Sequence, residues 1–82
     1  MSIVLVLAAD AGLVGDALGR AGPNGDVVVL DPSAHSLEQL ERSVRDPRLW
    51  YQIGDAEVVP LPDDYADEAL GAASPDVERV LR

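Results

Sequence analysis

Lysine, cysteine and phenylalanine are absent from the 82 residues, and the aromatic complement stops at one tryptophan and two tyrosines. Without cysteine there is no disulfide and no thiolate site for zinc, and the lone His35 supplies no His/Cys cluster for a structural metal. A chain of this length leaves a large share of its surface in water. With the usual staples of small scaffolds excluded, association is the expected support, either as a homodimer or with a larger protein partner. Six arginines face fifteen carboxylates, for a net charge of -9 and a pI near 4.1. Such a chain has little with which to displace the counterions of a phosphate backbone, which argues against nucleic acid, and it is equally unsuited to an acidic membrane surface. No stretch approaches the ~20 apolar residues that cross a bilayer, and residues 3 to 9 lack the basic flank of a signal peptide. A cytoplasmic protein is expected. There is no Gly-Lys-Ser phosphate loop, no Gly-x-Ser-x-Gly nucleophile turn and no calcium-loop spacing of carboxylates, so no catalytic residue and no metal ligand is assigned.

What is present is an alternation of strand and helix signals. SIVLVLA, residues 2 to 8, is a continuous apolar and β-branched run, the mark of a strand covered on both faces. Leu13, Val14, Ala17, Leu18 and Ala21 then recur at helical spacing until Ala21-Gly22-Pro23-Asn24-Gly25 stops the helix. VVVL, residues 27 to 30, is a second buried strand, closed by Asp31-Pro32-Ser33, which also opens the next helix with Ser33 or Asp31 as its cap. That helix turns Leu37, Leu40 and Val44 inward, and Asp46-Pro47 ends it. LWYQIG, residues 49 to 54, reads as a shorter, more aromatic strand near a sheet edge. Residues 63 to 73 fit two descriptions. Their propensity is helical and Asp67-Glu68 is foreign to a central strand, whereas their place in the alternation calls for one, near 66 to 73. Ser74-Pro75-Asp76 marks a helix start, with Val77, Val80 and Leu81 as the apolar face. The expected architecture is a truncated, three-layer, Rossmann-like α/β half-domain spanning residues 1 to 82, with three to four mostly parallel strands joined by right-handed crossovers.

Laid end to end, these pieces resemble the N-terminal half of class I S-adenosylmethionine-dependent methyltransferases, a likeness covering almost the whole chain. In that family the first strand runs into acid-x-Gly-x-Gly-x-Gly; here VLVLAADAG sets Val6 at the acid, Ala8 and Asp10 at the first two glycines and Gly12 at the last. GPNGDVVVLDPS resembles the second strand and implies that Asp31 accepts the cofactor's ribose hydroxyls. GDAEVVPLPDD resembles the third motif and implies that Asp55 and Ala56 read the adenine edge. PDVERVLR resembles the segment leading to the family's next strand, and the family's order, 3-2-1-4, leaves the outer edge of the fourth strand open. The departures have physical consequences. A glycine loop lets backbone N–H groups approach a ligand without Cβ interference, whereas Ala8 and Ala9 narrow that approach and Asp10 adds bulk and charge. The resemblance therefore implies S-adenosylmethionine binding that is weak or absent, through Asp10, Gly12, Asp31, Asp55 and Ala56.

Other readings of the same residues stay open. Ala9-x-x-Gly12-x-x-Gly15 also resembles a nicotinamide-dinucleotide fingerprint lacking its first glycine, with Asp31 again at the ribose; a lysine-free chain has no Tyr-x-x-x-Lys pair. Gly12 and Gly15 have a plainer use in close helix-to-strand packing, Asp31 in capping a helix, Asp55 in a turn, and Trp50 and Tyr51 in packing. The expected role is a methyltransferase-like small protein that acts as a binding or regulatory subunit and is not catalytic alone. The alternatives are half of a split enzyme completed by a partner chain and a degenerate NAD(P)-binding module. Methyl transfer needs nucleophile and sulfonium in line within a dry pocket, which half a sheet does not enclose.

Overall fold

The computed structural model describes residues 2 to 82. The β-branched runs become adjacent parallel strands because each is apolar on both faces and needs cover on both. β1 spans Ile3–Leu7, β2 Asp26–Asp31 and β3 Leu49–Ile53, with α1 (Ala11–Ala21) and α2 (Ala34–Ser43) as the crossovers between them. β4 (Glu68–Gly71) and α3 (Pro75–Val80) complete the fold, and the sheet order is β3-β2-β1-β4, parallel throughout. This is the expected α/β architecture, in the expected strand order.

Side chains alternate across the strands, so each strand serves two cores. Val4, Val6, Val27 and Val29 meet Val14 and Ala17 of α1 and Leu40 of α2 on one face. Leu5, Val28 and Leu30 point the other way, where Val77 and Val80 of α3 and Val59 and Ala66 of the connection after β3 cover them. Residues 54 to 67 contain no helix. The second layer is therefore built largely from irregular chain.

Each helix begins on a side-chain cap: the oxygens of Asp10, Ser33 and Ser74 accept the N–H groups of Leu13, Ser36 and Val77. α1 stops where Gly22 takes φ 75° and its N–H reaches the Leu18 carbonyl. Three residues on, a Cβ at Gly25 would stand 2.2 Å from the Ala21 carbonyl oxygen and 2.7 Å from that of Ser2. Glycine is the only residue that fits there.

The open question over residues 63 to 73 resolves as a strand over residues 68 to 71, and both acids find partners at its start. Glu68 lies 3.2 Å from the Arg20 guanidinium of α1. The Asp67 carboxylate accepts the Ile3 N–H at 2.8 Å and sits 3.7 Å from Arg82. The outer edge of β4, expected to be open, is met just before its start by the chain itself. The Ala66 N–H donates to the Val80 carbonyl and the Arg82 N–H to the Ala66 carbonyl, each at 2.9 Å, which makes a parallel bridge between Ala66 and Leu81.

Candidate functional site

In an open parallel sheet, ligands sit at the carboxyl ends of the strands where the strand order reverses. Here that point lies between β1 and β4, beside the end of β2. The residues singled out in the sequence fall at or just after the carboxyl ends of β1, β2 and β3, and the structure gives most of them hydrogen-bonding work within the fold.

Asp31 ends β2 and its carboxylate joins two loops. One oxygen accepts the Ala9 N–H at 2.9 Å, across 22 residues of chain, and the other accepts the Ser33 N–H at 2.8 Å. The carboxylate thus ties the β1–α1 loop to the entry of α2. Asp10 is the N-cap of α1, with one oxygen 2.9 Å from the Leu13 nitrogen. Asp55 accepts the N–H groups of Glu57 and Val58 at 2.9 and 3.1 Å, an Asx-type turn. Ala56 packs against the second core while its carbonyl accepts the Ser74 hydroxyl. Gly54 sits behind this turn, where a Cβ would come within 2.9 Å of Pro60.

The loop between β1 and α1 contains no glycine, and Gly12 and Gly15 lie within α1 itself. Positive φ occurs at Gly22, Asp64 and Gly71 among the described residues, and none of these lies between β1 and α1. Ala8, Ala9 and Asp10 therefore occupy conformations natural to residues with side chains. Gly12 is exposed and a Cβ there would meet only the capping Asp10 oxygen, at 3.1 Å. A Cβ at Gly15 would find nothing within 4 Å, so the close helix-to-strand packing expected of it is absent. Five surface cavities of about 250 to 610 Å³ open elsewhere, and none of the five is lined by Asp10, Gly12, Asp31, Asp55 or Ala56.

Two arginines that no motif marks organise the rest. Arg48 donates to the Leu18 and Gly22 carbonyls, at 3.1 and 2.7 Å, and so caps the C-terminus of α1. Its ion pair with Asp46, at 2.8 Å, holds that carboxyl down at about 2, chiefly through the guanidinium hydrogen bonds. Arg79 on α3 donates to the Leu61 and Val59 carbonyls and pairs with Asp63 and Asp76. Asp76 is likewise lowered to about 2, first by Arg79 and then by the Val59 N–H. The sequence signal for both was the fork of the guanidinium in a lysine-free chain, which suits several fixed acceptors at once. Among the described residues no group of three or more His, Asp or Glu side chains is arranged to hold a metal, and no helix is long and apolar enough to cross a membrane.

No protein family and no curated protein matches the sequence. The backbone is similar to one chain of a solved structure, the complex between the Haloferax volcanii Trm112 methyltransferase activator and a "putative methyltransferase". The TM-score is 0.74 at 22% identity, over 99% of this chain and 41% of that one. At that identity the likeness establishes the fold, and the chain spans about two-fifths of the length of its neighbour. It corrects the assignment implied by the loop and strand motifs. A match to the class I S-adenosylmethionine-dependent methyltransferases at one loop glycine and three short segments is not family membership. The carboxylates that carried the resemblance, Asp10, Asp31 and Asp55, each accept backbone N–H groups inside the fold.

Proposed function

We propose that this domain is a non-catalytic binding or regulatory subunit of a methyltransferase assembly. The observation that carries the reading is the state of the strand ends: the carboxylates that the sequence offers to a nucleoside are bonded to backbone N–H groups of the surrounding loops and helix starts. The exposed apolar side chains support it further. Trp50, Ile53 and Val58 are 59, 55 and 72% exposed, and they lie close together in the chain, on β3 and the connection after it. The neighbouring structure joins an activator to a methyltransferase, which fits an assembly of this kind.

Sedimentation velocity of the chain, alone and mixed with methyltransferases from the same genome, tests the reading. A heterocomplex of fixed stoichiometry is expected; a chain that stays free in every mixture refutes it. Calorimetry with S-adenosylmethionine and S-adenosylhomocysteine supplies a second arm. No binding heat is expected, and micromolar affinity would restore a cofactor role to Asp10, Gly12, Asp31, Asp55 and Ala56. A homodimer is the second reading, favoured by the unpaired outer edge of β3. A dimer mass for the isolated chain would identify it.

A further inference from the structure

The chain has three aromatic residues, Trp50, Tyr51 and Tyr65, and all three line a single cavity of about 330 Å³, together with Asp26, Gln52 and Leu61. It lies on the sheet face away from α1 and α2, where Val28 and Trp50 pair in register and irregular chain replaces a helix. Tyr51 packs against the other core, so the aromatic surface left for an occupant belongs to Trp50 and Tyr65. The Trp50 indole N–H donates to one Asp26 oxygen at 3.1 Å, which fixes the ring beside a carboxylate. That carboxylate makes no ion pair among the described residues, and no arginine or histidine lines the cavity. An apolar, aromatic recess of this size with one unneutralised negative charge suits a compact cation on an aliphatic stem.

We propose that this cavity receives an arginine or lysine side chain of the protein partner, held by the Asp26 carboxylate and the faces of Trp50 and Tyr65. The inference rests on the binding-subunit reading above and names the chemistry of its partner. A chain of net charge -9 favours a basic partner face, and Trp, Tyr and Arg are the residues on which interface affinity concentrates.

Trp50 is the only tryptophan, so its emission reports occupancy directly. The probes are N-acetylarginine methylamide and its neutral isostere, N-acetylcitrulline methylamide, titrated into the full chain to millimolar concentrations. The arginine probe should give a saturable change, with the citrulline probe about tenfold weaker or silent once the charge is gone. Asp26→Asn keeps an acceptor for the indole and should weaken the arginine probe by about tenfold. Tyr65→Leu keeps apolar bulk, retains the reporter and should weaken it several-fold. Both variants are checked for native circular dichroism, and both should loosen the heterocomplex. No saturable change, or equal response to the two probes, overturns the proposal whether or not a heterocomplex forms. Probe binding with a heterocomplex indifferent to both variants, or with no heterocomplex at all, overturns the partner as the source of the cation; in the second case the binding-subunit reading fails separately.

Discussion

At the scale of single residues, the decisive contrast is between a carboxylate held ready for a ligand and one already used by the fold. Asp31 bonds two N–H groups in partly buried surroundings. Removing it leaves both donors without their charged acceptor, at about 1–3 kcal/mol for such a loss. Asp31→Ala should therefore lower the urea midpoint by an amount equivalent to about 2 kcal/mol with an unchanged slope, and Asp31→Asn should cost less because one acceptor remains. A variant as stable as the parent would show that the carboxylate is not structural. Gly15 tests the same contrast from the other side. It is exposed within α1 and a Cβ there meets nothing within 4 Å, so Gly15→Ala should stabilise by roughly 0.5–1 kcal/mol through helix propensity and a less flexible unfolded chain. A thermal melt that falls instead would reveal a close approach at this position. The sequence left both residues open between site and scaffold, because aspartate at the end of a strand and glycine early in the following helix serve either purpose. Only the neighbouring N–H groups decide between them.

Among elements, legibility follows the range of the forces that shape them. β1, β2 and α1 are readable because their apolar patterns demand burial on defined faces, and the Ser74-Pro75 start of α3 is readable because caps act within three residues. β4 is ambiguous in sequence because Glu68 is neutralised by Arg20, 48 residues away in the chain. The staples made by Arg48 and Arg79 are only partly readable for a related reason: four of their nine side-chain hydrogen bonds end on backbone carbonyls, which have no residue type to recognise. α3 is bound to the connection after β3 through Asp76 and Arg79, and this gives the element a dependence on acid. The folded Asp76 carboxyl lies at about 2, below its ordinary 3.8. The unfolded chain therefore binds this proton first, so the contribution is complete above about pH 4 and disappears as pH falls through about 2. Comparing thermal melts of the parent and Asp76→Asn isolates it from the other carboxylates. The gap between them should be widest above pH 4 and narrow steadily toward pH 2. A gap constant across that interval would mean that the pair with Arg79 adds nothing to folding.

The whole molecule is shaped by its charge. Fifteen carboxylates against six arginines are confined within 30 × 27 × 17 Å. At about 0.01 M salt the Debye length is about 30 Å, as long as the molecule, so every carboxylate senses every other; at about 0.15 M it is about 8 Å and only near neighbours interact. Folding concentrates this charge and unfolding disperses it, so self-repulsion opposes the compact state. Screening acts on two opposed contributions. It weakens the ion pairs of Arg20, Arg48, Arg79 and Arg82, which are short contacts of 2.7 to 3.7 Å, and it relieves a larger number of longer-range repulsions. Exposed pairs are worth little individually, a median of about 0–1 kcal/mol, and those with partly covered guanidiniums are screened least. Relief of repulsion should therefore win. The melting temperature should rise as sodium chloride increases from about 0.01 to about 0.15 M, most of the gain coming early, where the Debye length shrinks below the size of the molecule. A melting temperature that falls over that range would mean that the arginine pairs outweigh the excess of nine negative charges, and that the acidity is part of what holds the fold together.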